Sequence, residues 1–496
     1  MQISSEIPVA TAAELQPLPG EDQPTAVLRV VGALGGIAQT KRPNGRMGNV
    51  LVTDPALVRQ VLVRGSMDDD LGLIRNFALR TAAPHGLISL TGAEHRKVRV
   101  SMAPCFRGNG LSPLEEALEA QLERGLDSWP VDQPAVASKL VLDLLTKVFM
   151  EWVLGPQEPE REAALCKAEQ ALLEVFHHAN PDMNQLWPSA DGEGPISFEE
   201  MVNRFFNLRT LISETIERGP KGMMAQLDQM LPPQGDGLPR SAQLTDHAIH
   251  LLLAGLDTVS QTTGLLLHHI GHNEAWSDAI ADEAGTAAEP PFTEACMKEI
   301  LRLYAGVPVA VRVTGAPVEV RGHTIPAHRP LMAFLICMQR DERYFERPLE
   351  FVPERFLEGS TMRMDPAGYL PFGSGPHICI GETSAKLIMR RLVPAICSRF
   401  RIRTETPGLV PVLVRIVALP MRAPRITLTR RTQAKAKSRC PFADRCPPPC
   451  RCRHRPRNAG YRPFGADGCS PRPIRPCDPH QRGWPAARRD RWPRGR

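Results

Sequence analysis

The chain has 496 residues, with 60 Lys and Arg against 54 Asp and Glu, for a formal net charge of +6. The sum hides two segments: Arg431–Arg496 holds 16 Arg, 2 Lys and 4 Asp, a charge of +14, which leaves −8 on residues 1–430. The acidic body gives no argument for nucleic-acid binding by the folded part. The tail, with no Leu, Val or Met and only Ile474, has almost nothing aliphatic from which to build a core.

Along the chain, residues 1–25 are polar and Pro-containing and read as a loose lead-in. They lack the charged and apolar regions of a secretory signal. From Ala26 to Arg430 the pattern is that of one large, mostly α body with a small β region. Helical spacing of apolar residues predicts helices over Leu51–Gly65, Thr91–Met102, Ala135–Leu154, Glu160–His178 and Phe198–Gly219. Ser189–Pro195 and Pro232–Pro239 read as loops. Ser241–Asn273 predicts one long, largely buried helix, and Phe292–Ala305 a shorter one that stops before Pro308. Alternating Val residues predict strands within Pro308–Thr324. Cys379–Phe400 is helical again, with Pro394 as a kink point. No stretch reaches the roughly 18–20 apolar residues needed to span a bilayer. The body's six scattered cysteines fit reduced thiols in a cytoplasmic protein better than a disulfide framework.

The most specific stretch is Phe372-Gly-Ser-Gly-Pro-His-Ile-Cys-Ile-Gly381. A lone cysteine among glycines, just before a helix, has backbone N–H groups at hand to stabilise a thiolate. Three further patterns accompany it. Glu299 and Arg302 share a helix face, with Arg355 downstream in Phe351-Val-Pro-Glu-Arg-Phe356. Ala254-Gly-Leu-Asp-Thr258 places small residues and an acid–hydroxyl pair in mid-helix, where they could relay protons. His95 and Arg99 lie four apart on one face.

Together these residues resemble the cytochrome P-450 family, whose haem loop reads Phe-Gly-x-Gly-x-His-x-Cys-x-Gly. The resemblance spans about Ala26 to Leu428. It implies the family's fold, a mostly α triangular prism with a small β region. It also implies haem b, with Cys379 as the axial thiolate ligand, Phe372, Gly373 and Gly381 shaping its loop, and His377, His95, Arg99 and Arg312 near the propionates. Glu299, Arg302 and Arg355 would form a buried structural network. Thr258 and Asp257 would support proton delivery, and Ala254 and Gly255 would make room for O2. Met338-Gln-Arg-Asp-Glu342 and His328 depart from the family's usual residues, in supporting segments.

The activity so implied is that of a monooxygenase. It would use O2 and two electrons to hydroxylate or epoxidise a small lipophilic substrate, in secondary metabolism. A peroxygenase, an isomerase or a haem-binding sensor is the alternative. With no reductase domain in the sequence, a separate ferredoxin or flavodoxin and its reductase would supply electrons to a monomer. Lys97, Arg96, Lys386 and Arg390 would be docking charges. His268, His269 and His272 read as a surface cluster at a helix end, because the Glu of a His-Glu-x-x-His zinc site is missing. The six tail cysteines match neither ferredoxin nor zinc-knuckle spacing. The segment 431–496 reads as an Arg/Pro-rich disordered extension or an abnormal C-terminus.

Overall fold

A computed structural model describes residues 6–41, 47–63, 83–178, 198–233, 237–284, 290–320, 322–406, 408–415 and 417–431. All lie in the first of the chain's two units, Met1–Pro441. The Ser189–Pro195 loop and the tail beyond Arg431 fall outside the described residues.

In chain order the helices are α1 (Gln23–Ala33), α2 (Pro55–Val63), α3 (Gly92–Met102), α4 (Ser112–Gly125), α5 (Ala137–Leu154), α6 (Pro159–His178) and α7 (Phe198–Glu217). They continue with α8 (Gly222–Met230), α9 (Arg240–Ile270), α10 (Glu274–Glu283), α11 (Pro291–Tyr304), α12 (Leu335–Gln339) and α13 (Glu382–Arg399). The long helix is therefore present. At 31 residues, α9 runs roughly 46 Å. Its crossing with α5 is close because Gly264 has no side chain: a Cβ there would stand 2.6 Å from Ser138 Cα. Leu145 and Val148 on α5 and Leu256, Leu265 and Leu266 on α9 are all buried.

The sheet region is assembled from distant strands. Five strands run in the order β1 (Val9–Ala10), β2 (Ile37–Lys41), β3 (Met47–Val52), β8 (Pro330–Phe334) and β5 (Val309–Val313). Between β5 and β8 lies a hairpin of β6 (Val318–Val320) and β7 (His323–Ile325). A second sheet places β12 (Arg425–Arg430) between β4 (Pro134–Val136) and β9 (Phe400–Thr404), and β10 (Val412–Val414) pairs with β11 (Ala418–Pro420).

Three expected helices, those over Leu51–Gly65, Ala135–Leu154 and Cys379–Phe400, start later than their periodicity suggests, the last of them at Glu382. Val50, Leu51 and Val52 belong to β3, where they pair with Leu331, Met332 and Ala333 and are buried. The helix then begins at Pro55, because Asp54 accepts hydrogen bonds from the Ala56 and Leu57 N–H groups at 3.1 Å. Likewise Pro134–Val136 joins β12 before α5 starts. The strands expected within Pro308–Thr324 are there.

Within the stretch read as a lead-in, β1 pairs with β2, and Ile7 and Leu15 are buried. Asp22 caps α1 and meets Arg340 at 2.6 Å, both buried. Burial opposes ionisation of Asp22, but the Arg340 charge and the hydrogen bonds from Thr25 and Arg340 outweigh it and hold the carboxyl below its ordinary value. His328, at φ 58°, adopts the left-handed conformation that glycine takes more easily, and its N–H donates to Thr314 O at 2.6 Å.

Candidate active site

The cysteine loop is built by glycines. Gly373 and Gly375 have φ of 74° and 77°. At Gly375 a side chain is excluded twice, since a Cβ would also lie 2.2 Å from Leu62 O of α2. The loop closes when the Cys379 N–H donates to Phe372 O at 3.0 Å and the Ile378 N–H donates to Gly375 O at 3.1 Å. Helix α13 then starts with Gly381 as its N-cap residue. Cys379 sits deep among protein atoms yet opens to solvent on one side. Burial pushes its thiol up; the Gly381 N–H opposes this, Glu382 adds to it, and Arg99 opposes it. The Phe372 ring carries Lys386 Nζ 5.3 Å from its centroid.

Beside this loop the structure gathers a basic cluster. The rings of His95, on α3, and His377, in the loop, have centroids 3.9 Å apart. Burial comes first among the causes that push His95 down to about 4, followed by the charges of Arg99, Arg312 and Arg96. For His377 burial, His95, Arg312 and Arg99 together push it down to about 3. Both imidazoles are therefore neutral at pH 7. Arg312, buried on β5, donates from Nη1 to Val311 O at 2.9 Å. The charges acting on the two histidines are all positive, and Arg99 also feels the Cys379 sulfur. Such a concentration of cations favours an anionic ligand. A sulfur donor next to four groups suited to carboxylates fits a haem and its propionates.

On α9, Ala254 is exposed and Thr258 half-buried, one turn apart on the same stripe. The Thr258 hydroxyl donates to Ala254 O at 2.8 Å. Asp257 is buried, with Gln261 Nε2 donating to Oδ1 at 3.4 Å. Gly255 has a different neighbour from the one expected. A Cβ there would meet Phe149 Cε1 of α5 at 2.2 Å, so its missing side chain serves helix packing. Ala254 and Thr258 are what open this face of the helix.

The three-residue network is present and wholly buried. Glu299 accepts from Arg302 Nε and Nη2 at 2.8 and 3.0 Å, from Arg355 Nε at 3.1 Å and from the Val352 N–H at 2.8 Å. Arg302 also donates to Gln339 O and Pro348 O. In the sequence Gln339 stands only as part of a departure from the family's usual residues. Its amide donates to Leu301 O and Arg302 O and accepts from the Leu370 N–H at 2.9 Å, which ties the network to the chain entering the cysteine loop.

Of the expected docking charges, Arg96 and Lys97 are exposed on α3. Lys386 and Arg390 are paired with Glu382 and Glu294. The histidine group at the end of α9 is not a surface cluster, since His268 and His269 are buried. His268 Nδ1 bonds Thr404 Oγ1 at 2.7 Å and His269 Nε2 bonds Tyr304 OH at 2.9 Å. Among the described residues no His, Cys, Asp and Glu group could hold a metal ion by itself.

A family model described as Cytochrome P450 matches residues 43–426. The chain is similar to cyclooctat-9-en-7-ol 5-monooxygenase of Streptomyces melanosporofaciens, at 26% identity over 388 residues, covering 72% of this chain and 81% of that one. It is also 25% identical over 370 residues to cyclooctatin synthase of the same organism, covering 71% of this chain and 80% of that one. Among solved structures, a cyanobacterial CYP120A1 bound to retinoic acid superposes with a TM-score of 0.68 at 18% identity, covering 86% of this chain and 99% of that one.

Proposed function

Because the chain belongs to the cytochrome P450 family, and so to the haem-thiolate oxidoreductases, we propose that it hydroxylates or epoxidises a small lipophilic substrate in secondary metabolism. The observation that carries this reading is the exposed Cys379 at the head of α13, flanked by His95, Arg99, Arg312 and His377. Cys379 would hold the haem iron, and the basic cluster would receive the propionates. Haem b, bound through a thiolate, supplies the electron-transfer and O2 chemistry.

The protein's own part is orientation and proton supply. The Thr258 hydroxyl is fixed by its bond to Ala254 O, so its oxygen remains free to accept a hydrogen bond on the open face of α9. Asp257 next to it is the acid that would feed this hydroxyl. Thr258→Ala is expected to leave haem binding intact and to cut product formed per O2 consumed by about tenfold or more. Unchanged coupling would remove Thr258 from the proton path.

The names of the Streptomyces relatives support a substrate with a lipophilic alkene or alcohol skeleton. A titration with such compounds, read by the substrate-induced spin-state change of the haem, tests the class. No shift with any of them would overturn it.

Electrons would come from a ferredoxin or flavodoxin with its reductase. Arg96 and Lys97 are exposed on the helix that carries His95 and Arg99, and would meet an acidic partner surface. Reversing both charges should slow reduction and reduce its dependence on salt. Unchanged reduction rates would place the contact elsewhere. Among the described residues no helix is long and apolar enough to cross a membrane. A cytoplasmic monomer is part of the proposal.

A further inference from the structure

The end of α9 carries three histidines that the haem site does not use. His269 is spent inside the fold: its ring stacks on Phe351, with centroids 4.6 Å apart, and its Nε2 bonds Tyr304 OH. His268 and His272 face each other instead. His268 is fully buried on the last turn of α9, and His272 stands exposed one residue beyond the Gly271 cap. Their Nε2 atoms are 3.4 Å apart, and their ring planes are inclined at 83°.

A second segment reaches the same place. Thr404, at the end of β9, has its Oγ1 2.7 Å from His268 Nδ1, and the Gly408 carbonyl oxygen lies 3.3 Å from His268 Nε2. The Thr404 hydroxyl donates to Arg425 O at 3.4 Å, so it accepts a hydrogen bond from the His268 Nδ1–H. In that tautomer His268 Nε2 carries a lone pair and no proton. It then faces a carbonyl oxygen, which is also only an acceptor, and a cation bound by both atoms satisfies them together.

The separations are those of ligands around one ion. Zinc bonds to imidazole nitrogen and to oxygen are about 2.0–2.2 Å long, and two such bonds at a tetrahedral angle set their donor atoms roughly 3.3–3.6 Å apart. Both distances from His268 Nε2 fall in that interval. They are longer than an ordinary hydrogen bond of about 2.9–3.0 Å. A hydrogen bond from Nδ1–H is also the usual support of a metal-bound imidazole. Burial lowers the proton affinity of both rings, so neither has to lose a proton to bind a metal at pH 7.

We propose that His268 Nε2, His272 Nε2 and Gly408 O form a site for a divalent transition-metal ion. Zinc fits best, since it takes imidazole and oxygen ligands in tetrahedral geometry, with water as the fourth ligand on the exposed His272 side. The two imidazoles do not suffice alone, and the backbone carbonyl completes the protein's share. The ion would fasten the end of α9 to the chain after β9. None of its ligands belongs to the haem site, so its role is structural.

The test uses the full, haem-loaded chain, freed of loosely held metal by a chelator, and compares it with His272→Ala. His272 is exposed, so the substitution leaves the core intact. An unchanged CO-bound haem spectrum checks this. In calorimetric titration with Zn2+, the wild type should bind one ion more per chain than His272→Ala, or bind it at least tenfold more tightly. Zinc at about 100 times its dissociation constant should raise the wild-type Tm by roughly 2–5 °C and leave that of His272→Ala unmoved.

The tail's six cysteines can also take up zinc, so the ligands are read directly. Zinc X-ray absorption of the wild type should show imidazole nitrogen and oxygen neighbours that His272→Ala loses. Equal zinc uptake and equal Tm shifts in the two proteins, uptake by sulfur ligands alone, or no uptake by the wild type would overturn the proposal.

Discussion

Glu299→Gln is expected to destabilise the protein by roughly 3–5 kcal/mol. The carboxylate accepts four hydrogen bonds, three from the guanidinium groups of Arg302 and Arg355 and one from the Val352 N–H. All three side chains are buried. Gln keeps the shape but removes the charge, and it turns one acceptor into a donor aimed at other donors. Two cations would then be buried without their counter-ion, and the loss is a large part of the ~5–15 kcal/mol that holds a typical domain. The exposed Arg347–Glu350 pair, with side chains 53% and 55% exposed, sets the contrast, since such pairs contribute only about 0–1 kcal/mol. Urea unfolding of Glu299→Gln and of Glu350→Gln decides the matter. A loss below about 1 kcal/mol for Glu299→Gln would mean that the network is not a structural centre. The same variant should hold haem less well, because Gln339 links Arg302 to the Leu370 N–H at the entry to the cysteine loop.

Cys379→Ser separates site from fold. What closes its loop is backbone hydrogen bonding that serine preserves. Stability is expected to change by no more than about 0.5–1 kcal/mol. Monooxygenase turnover should nevertheless disappear, because a serine hydroxyl does not supply the soft, readily ionised donor that the thiol does. Retained turnover in Cys379→Ser would place the haem ligand elsewhere. The two variants thus make opposite demands: one should fail by unfolding, the other while folded.

What was legible in the sequence had a short pattern with a single chemical meaning. The glycines around Cys379 were readable because Gly375 tolerates no Cβ and adopts a positive φ. Glu299, Arg302 and Arg355 were readable through the family resemblance, since the helical spacing of Glu299 and Arg302 by itself marks only an ordinary ion pair. The long α9 followed from its unbroken apolar pattern.

What stayed hidden depended on contacts between distant segments. Arg340 and Asp22 are 318 positions apart and meet only when β1, α1 and α12 are in place. Gln339 looked like a departure from a pattern until its amide was seen between α11 and Leu370. Glu169 reads as one more polar residue on α6, because helical periodicity does not show that this position is fully buried. The lead-in looked polar, yet Ile7, Ala10 and Leu15 within it are buried. Gly255 was read as making room for O2, but the space left by its missing side chain is taken by Phe149 from another helix.

The central claim is that Cys379 is the haem ligand, and the absorption spectrum of the reduced, CO-bound protein tests it most directly. The account predicts the spectrum of a thiolate-ligated haem, lost in Cys379→Ser. A histidine-ligated spectrum in the wild type, or no bound haem at all, would contradict it.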